Sequence, residues 1–113
     1  MGLFGSLGAG GGQQVKELLI MEAYDWTELG ALKVWVKNVG AANIVLGDLF
    51  VNGLTVNYIL PGQCDNTISI QQSCRIIINQ FALTITLGAS YVLKIVAVNG
   101  AVFSYSVTAG RTG

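Results

Sequence analysis

Short segments in which hydrophobic and polar residues alternate follow one another from Ala31 onward. In Ala31–Asn38, every second residue is leucine or valine, and the positions between them hold Lys33, Trp35 and Lys37. Side chains of a β-strand point alternately to its two faces, so this pattern is typical of a strand with one face in the core. The sequence therefore predicts a half-buried strand here, with Trp35 and the two lysines on its other face.

Further strands are predicted where β-branched and aromatic residues cluster between turn residues. These segments are Ile44–Val51, Leu54–Leu60, Thr67–Ile70, Arg75–Ile78, Ala82–Leu87, Tyr91–Val98 and Ala101–Ala109. Asn52-Gly53 and Asn99-Gly100 each separate two of these segments and predict two hairpins of the same kind, with type I′ turns, because both residues tolerate a positive φ. Pro61 lacks a backbone donor and is expected to end the strand before it.

The beginning of the chain permits two interpretations. Gln13–Ala23 could form a helix with its apolar residues roughly on one side, or a strand that begins near Lys16, which we favour. The glycine-rich start, MGLFGSLGAGGG, lacks the basic residues and the uninterrupted apolar region of a secretory signal. We expect residues 1–14 to be a flexible linker or a disordered native tail, and residues 15–113 to form one domain.

The number and spacing of the predicted strands indicate the fold class. About seven or eight strands, with turn signals about every 8 to 12 residues, are typical of an antiparallel sandwich of two packed sheets. A closed barrel is the alternative. In the last segment, Phe103, Tyr105 and Val107 share one face and hydroxyl residues share the other. We expect the aromatic face to point into the core.

Few charges accompany the hydrophobic residues. The chain is 52% hydrophobic and 11% charged, whereas an average soluble domain has about 25% charged residues. Six basic and six acidic side chains cancel, which removes the attraction that nucleic acids require and the repulsion that opposes self-association. Histidine is absent, which excludes Ser-His and Cys-His nucleophile pairs, type I copper sites and catalytic zinc sites. We expect no enzyme, no cofactor and no nucleic-acid partner.

The charged residues are concentrated near the start, because seven of the twelve lie between Val15 and Lys37. Glu22, Asp25 and Glu28 are spaced by three and would share one face of a helix, where paired carboxylates could act as an acid and a base. In a strand they instead form a solvated edge that opposes aggregation, which is the interpretation we favour. No catalytic residue is therefore assigned.

Cys64 and Cys74 are the two cysteines of the chain and lie ten positions apart. A CxxC redox motif needs a closer spacing, and a zinc site needs more ligands. A structural disulfide and two buried free thiols remain as alternatives, and we favour the disulfide. A bond across this loop would stabilise the fold by about 2 to 3 kcal/mol and implies an oxidising compartment or a thermophile.

Three aromatic residues are candidates for an intermolecular contact: Trp35, Trp26 and Tyr58. They could form a surface on which a sugar ring stacks, but a sandwich core of this size also needs large aromatic side chains. Trp35 differs from the other two because it shares a strand face with Lys33 and Lys37. We expect it either to contact a partner or to cover a local apolar patch.

Three stretches of the chain together resemble the globular head domain of archaeal type IV pilins and archaellins. They are KELLIMEAYDW, LKVWVKNVGAANIVLGDLFVNG and LGASYVLKIVAVNGAVFSYSVTA. The shared pattern is a charged first strand, an alternating strand that ends in the turn Asn38-Val39-Gly40, a strand that runs into Asn52-Gly53, and a C-terminal hairpin. The resemblance covers residues 16–109 and implies an immunoglobulin-like β-sandwich on the outside of a helical filament.

The resemblance also implies a function and a location. Family members carry a long apolar N-terminal helix that forms the filament core, and this sequence lacks it, so membrane contact is expected only through such a helix. We expect a structural subunit or accessory domain of an archaeal pilus or archaellum, outside the cell, that packs against like subunits. The alternatives are an archaellum stator-type protein that binds the surface-layer protein, and a carbohydrate-binding or adhesive module that binds a glycan.

Overall fold

The regular structure of the protein is built from β-strands. A computed structural model describes residues 16–62 and 64–113. These residues form eight strands: β1 (Leu19–Glu28), β2 (Ala31–Asn38), β3 (Ile44–Val51), β4 (Leu54–Ile59), β5 (Thr67–Ile68), β6 (Ser73–Gln80), β7 (Ser90–Ala97) and β8 (Val102–Thr108). The all-β prediction is confirmed, and the first element is a strand and not a helix. The predicted linker, residues 1–14, lies outside the described residues.

The strands pair antiparallel in the order β1-β2-β6-β4-β3-β7-β8, with β5 beside β3. β4 belongs to both halves of this order, because residues 54–56 pair with β3 and residues 57–59 pair with β6. A register shift between Asn57 and Tyr58 marks the corner where β4 passes between the sheets. β1 and β8 end the order and form no ladder with each other within the described ranges. The fold is therefore an immunoglobulin-like β-sandwich and not a closed barrel.

The alternation along each strand places the core between the two sheets. In β2, Leu32, Val34 and Val36 are fully buried, whereas the residues between them are half-buried. In β8, Phe103 and Val107 are buried and the serines between them are exposed, as the sequence predicts. Burial of a leucine, valine or isoleucine side chain contributes about 1.5–3 kcal/mol. The inward-facing positions thus hold the sheets together.

The two asparagine-glycine hairpins turn in different ways. Asn52 and Gly53 both have positive φ, at 50° and 82°, which confirms a type I′ turn between β3 and β4. In the β7–β8 hairpin Gly100 has a φ of 100°, but Asn99 does not have a positive φ. The Gly100 N–H donates to the Ala97 carbonyl at 2.9 Å. This is a longer loop that ends in a left-handed glycine, so the prediction of two identical turns was wrong.

The segment Ala82–Leu87 was predicted as a strand, but it has no strand structure. Its alternating Leu83 and Ile85 are half-buried and pack against the core. The backbone N–H of Thr86 donates a hydrogen bond to the Tyr91 hydroxyl at 2.8 Å, and not to a neighbouring strand. The alternating side chains therefore anchor a loop to the core, because every second side chain can be buried without hydrogen bonds to a neighbouring strand.

The last residues of the chain lie along the free edge of β1. The N–H and carbonyl groups of Tyr24 both bond to Gly113, each at 2.9 Å. The Trp26 N–H donates to the Arg111 carbonyl at 2.8 Å, and the Trp26 carbonyl accepts from Gly110. β1 is therefore hydrogen-bonded on both sides, to β2 and to this tail.

Asn38, at the end of β2, is a fully buried polar residue. Its Nδ2 donates to the carbonyls of Ala42 at 2.9 Å and Ile68 at 3.0 Å. Its Oδ1 accepts from the Gly40 N–H at 2.9 Å. One side chain thus fixes the turn after β2 and connects it to β5.

Gly40 lies against the chain that leads into β1. A Cβ atom at this position would be 2.6 Å from the Lys16 carbonyl oxygen and 2.7 Å from the Leu18 nitrogen. The same Lys16 carbonyl accepts hydrogen bonds from Ala41 at 2.9 Å and Ala42 at 2.8 Å. Glycine is required here because the two backbone segments are in contact.

Tyr105 connects the end strands of the two sheets. Its side chain points inward from β8, and its hydroxyl donates to the Leu19 carbonyl at the start of β1. Burial raises the pKa of this phenol well above its usual range. The neutral form of Tyr105 is therefore part of the folded structure.

Replacing Asn38 by alanine removes three hydrogen bonds and leaves backbone groups without partners. We expect Asn38→Ala to lower the free energy of unfolding by about 2–4 kcal/mol, since each buried unsatisfied group costs about 1–3 kcal/mol. Urea titration followed by tryptophan fluorescence measures the change. Asn79→Ala, at an exposed position of β6, is the control and should change stability by less than about 0.5 kcal/mol. Equal effects of the two substitutions would contradict this role for Asn38.

Stability should fall at high pH because of Tyr105. Its pKa is raised in the folded protein, so its contribution is complete below the ordinary pKa of 10.0 and is lost as the pH rises above that value. At neutral pH, Tyr105→Phe should cost about 1 kcal/mol for the lost hydrogen bond. Above the ordinary pKa, the variant should lose stability less steeply than the original protein. Urea midpoints measured across this pH range test the difference, and parallel pH profiles would refute it.

Candidate interaction surface

The loop after β4 is fastened to β6 through the cysteine pair. Cys64 and Cys74 are bonded in the structure, and their Cα atoms are 5.8 Å apart. Cys74 is buried in β6, and Cys64 is half-buried in the loop. The bond spans the segment that contains β5. Oxidation of this pair in the native protein stays a prediction.

Trp26 is not a surface residue. Its side chain is fully buried, stacks on Phe81 at a centroid distance of 5.5 Å and meets the ring of Tyr91 edge-on at 5.3 Å. Its Nε1 donates to the Leu29 carbonyl at 3.1 Å. A side chain without exposed area cannot contact a partner, so the predicted intermolecular role of Trp26 is corrected to a core role.

A bulge in β1 explains why Trp26 is buried. The register against β2 shifts between Met21 and Ala23, so that Glu22 has no ladder partner. An inserted residue reverses which following side chains point inward. Leu19 before the bulge and Trp26 after it are therefore both buried, although regular alternation would place them on opposite faces.

Tyr58 lies at the corner of β4 and is half-buried. Its hydroxyl donates to the Gly47 carbonyl at 2.9 Å and accepts from Asn66 Nδ2 at 3.0 Å. Burial raises the pKa of this phenol, and the bond from Asn66 opposes that rise. The ring also borders a depression of about 400 Å³ together with Leu60 and Asp65. Tyr58 thus connects β3, β4 and the following loop, and only part of it faces solvent.

Trp35 remains the candidate for an intermolecular contact. It is half-buried on the outer face of β2, directly opposite Ala23 of β1 and Arg75 of β6. The register brings Trp35 together with four neighbours, and these five residues are called the Trp35 face: Lys33, Trp35, Lys37, Arg75 and Ile77. Beside Ile77 lies Ile59 of β4, of which 50% is exposed. This face combines apolar area with three cations.

The sequence pattern predicts only part of this face. Lys33, Trp35 and Lys37 are neighbours on one strand, so the alternation pattern was sufficient to group them. Arg75 and Ile77 come from β6, which is far away in the sequence but pairs directly with β2. The pattern of β6 predicts a strand, but it carries no signal of which strand lies beside it.

Acidic residues line the β1 side of the same sheet. Glu28 forms an ion pair with Lys33 at 3.7 Å, and Glu22 accepts a hydrogen bond from the Ser73 hydroxyl at 3.1 Å. Asp25 accepts from the hydroxyl and the N–H of Thr27, which lowers the pKa of the carboxyl. The three carboxylates thus have separate partners and do not converge on one point. The sheet carries an acidic edge next to a basic centre.

The outer face of the other sheet has a different chemistry. The Lys94 ammonium lies 4.8 Å from the centre of the Phe50 ring, which is an arrangement favourable for a cation–π contact. Around it are exposed valines and hydroxyl residues: Val92, Val102, Ser104 and Ser106. This surface is largely uncharged, as the concentration of charges near the start of the chain predicts.

Residues 16–62 and 64–113 contain no group of three acidic, cysteine or histidine side chains placed to hold a metal ion. None of the secondary structure in these ranges is a helix long and apolar enough to cross a membrane.

Comparison with models of known protein families found no match, and a search of curated proteins found none either. Five chains of known structure do match. One is the archaellum periplasmic stator protein FlaG from Sulfolobus acidocaldarius; the TM-score is 0.62, the identity is 20%, and the match covers 80% of this chain and 99% of that chain. Another is from the stator protein complex FlaF and FlaG of the same organism, with a TM-score of 0.63, 18% identity, and coverage of 88% and 96%. The chain shares their fold.

These matches refine the resemblance seen in the sequence. The matched proteins belong to an archaeal surface-filament system, as the resemblance implies. They are stator proteins of the archaellum and not the head domains of pilins or archaellins. Among the functions that the sequence leaves open, the stator-type protein is the one that these matched chains have.

Reduction of the Cys64–Cys74 bond should destabilise the protein. The bond closes a loop between residues ten positions apart, and restricting an unfolded chain of this length contributes about 2–3 kcal/mol. Urea titration with and without dithiothreitol should show this difference in the free energy of unfolding. The double variant Cys64→Ala/Cys74→Ala is the control, and its midpoint should not respond to dithiothreitol. An unchanged midpoint of the original protein on reduction would refute the native disulfide.

Proposed function

We propose that the protein is a non-enzymatic, stator-type component of an archaellum that acts on the outer side of the cell membrane. The main observation in support is the structural match to stator proteins, which covers 99% and 96% of their chains. A match over nearly the whole length of two stator chains supports a similar use of the fold. The disulfide, if it is present in the native protein, agrees with an oxidising location outside the cytoplasm.

The Trp35 face is the surface that we assign to a partner protein. Tryptophan and arginine are the residues that most often dominate the binding energy of protein interfaces, and here Trp35 and Arg75 lie opposite each other in neighbouring strands. The acidic edge and basic centre of the same sheet restrict the partner to a surface with the complementary arrangement of charges. Because one of the matched structures is a complex of two stator proteins, we propose a second archaellum stator subunit or the surface-layer protein as the partner.

A glycan-binding module is the second candidate, and the partly exposed ring of Trp35 is the observation that favours it. Sugar rings stack on the exposed faces of tryptophan rings. In that case Trp35 would contact a sugar of the cell surface and not a protein. The third candidate function is a subunit of a pilus or of the archaellum filament, because the sequence resembles those families.

Gene replacement in the organism that carries this protein separates a function in swimming from a pilus subunit and from an adhesive module. We expect deletion of the gene to abolish swimming in soft agar, and Trp35→Ala to reduce the swimming radius strongly, because loss of a dominant interface residue weakens binding about 30-fold or more. Phe50→Ala, which removes a half-buried aromatic ring from the outer face of the opposite sheet, is the matched control and should swim normally.

Electron microscopy of the same strains distinguishes the outcomes. Loss of a non-motile filament with intact swimming would identify a pilus subunit. Normal swimming and normal filaments after deletion, together with glycan binding that is lost in Trp35→Ala, would identify an adhesive module. Either result would overturn the stator function. Urea titration of both purified variants must show that they remain folded.

A further inference from the structure

β8 carries an unprotected edge. It is the last strand of the order, and no strand within the described residues pairs with its outer side. Its sequence, VFSYSVT, contains neither a charged residue nor a proline, and its pairing with β7 is free of bulges. Sheets ordinarily protect their edges with these three features, because unpaired backbone groups readily accept a further strand.

The register of β7 identifies which backbone groups face this edge. The Val92 carbonyl accepts a hydrogen bond from the Asn52 N–H at 2.9 Å, so Val92 directs its backbone groups toward β3. The side to which these groups point alternates along a strand, so the neighbours of Val92 bond to β8. The β8 residues opposite Val92, Lys94 and Val96 therefore point their N–H and carbonyl groups away from the sheet. These residues are Ser106, Ser104 and Val102.

The middle of this edge is uncovered. At its end, the Thr108 N–H donates to the Tyr24 hydroxyl at 3.1 Å, which agrees with the outward direction of its backbone. Ser104 and Ser106 are exposed, and 53% of Val102 is exposed. The edge therefore offers three consecutive donor–acceptor pairs to a strand from outside.

We propose that this edge pairs with the same edge of a second copy of the chain, antiparallel, about a two-fold axis at Ser104. In this register Ser104 lies opposite Ser104 of the second copy, and Val102 lies opposite Ser106. All three outward residues of each copy then exchange both of their backbone hydrogen bonds. A shift in either direction leaves at least one of them without a strand partner, so the symmetric register satisfies the most groups.

Charge favours a second copy as the occupant. The chain has no net charge, so two copies do not repel each other at long range. At the turn end of β8, the Glu17 carboxylate is held by Asn99 Nδ2 at 2.6 Å, and the tail beyond the other end carries the exposed Arg111. Antiparallel pairing places the turn end of one copy beside the tail end of the other. Opposite charges thus lie at both ends of the interface.

Apolar side chains border the contact on the outer face. Val92 is 50% exposed and pairs with Ser106 within each copy. Since Ser106 lies opposite Val102 of the second copy, Val92 and that Val102 fall in the same cross-strand row. The paired edge is short, so we expect a weak dimer whose population rises with protein concentration. This dimer depends on β8 alone and not on the archaellum function.

Engineered cysteines test the register. In a hydrogen-bonded antiparallel pair the Cα atoms are about 5.5 Å apart, which permits a disulfide. Ser104→Cys should therefore form a covalent dimer under mild oxidation, seen by non-reducing electrophoresis. Ser106→Cys is the matched control, because two copies of residue 106 would be about 13 Å apart along the strands and should not cross-link. Cross-linking of both variants to the same extent, or of neither, would overturn the two-fold pairing.

Backbone substitution gives a second measurement. The Ser104 N–H points outward, so Ser104→Pro removes a donor of the interface without removing a bond between β7 and β8. Sedimentation velocity should show a dimer fraction that increases with concentration for the original protein and for Ser104→Ala, and a monomer at all concentrations for Ser104→Pro. A monomeric original protein at millimolar concentration, or an undiminished dimer of the proline variant, refutes the pairing.

Discussion

The pairing of β4 with both sheets is the interaction on which the rest of the sandwich depends. Residues 54–56 continue the hairpin with β3, and residues 57–59 pair with β6, so one six-residue strand closes the fold at its corner. Tyr58 supports this corner through its bond to the Gly47 carbonyl. The Cys64–Cys74 bond then returns the following loop to the strand with which β4 has just paired. Through β4, the hydrogen-bonded pairing of strands passes from one sheet to the other.

Local signals in the sequence were sufficient for most strands. β2 and β3 have the predicted bounds, because the alternation along β2 and the Asn52-Gly53 turn after β3 define them without help from the rest of the chain. Ala82–Leu87 also alternates, but no strand lies beside it, and the Thr86 N–H donates to a side-chain hydroxyl instead of a strand carbonyl. A strand needs a neighbour as well as a pattern. Long-range pairing also decides the strand order, the passage of β4 between the sheets and the position of β5, and a local pattern does not show any of them.

The candidate surface shows the same division between local and distant information. Trp35 lies on the outer face, as its two neighbouring lysines indicate, whereas the bulge at Glu22 turns Trp26 into the core. Bulges depend on how two strands meet, so a single-strand pattern cannot reveal them. Arg75 becomes part of the surface for the same reason, through the pairing of β6 with β2. The sequence of one strand therefore predicts that this face holds an aromatic ring and lysines. It does not predict which residues of other strands complete the face.

The contact between Gly40 and Lys16 has a mechanical consequence. A force applied to the chain ahead of Lys16 would act first on the two hydrogen bonds from Ala41 and Ala42 to its carbonyl. Beyond them it would act on β1, which is bonded along one edge to β2 and along the other to the C-terminal tail. Two ladders pulled along the strand direction must shear together, whereas a ladder pulled from one end unzips bond by bond. Resistance to force is set by the rate of unfolding, and breaking two ladders together requires a higher barrier than breaking one bond at a time.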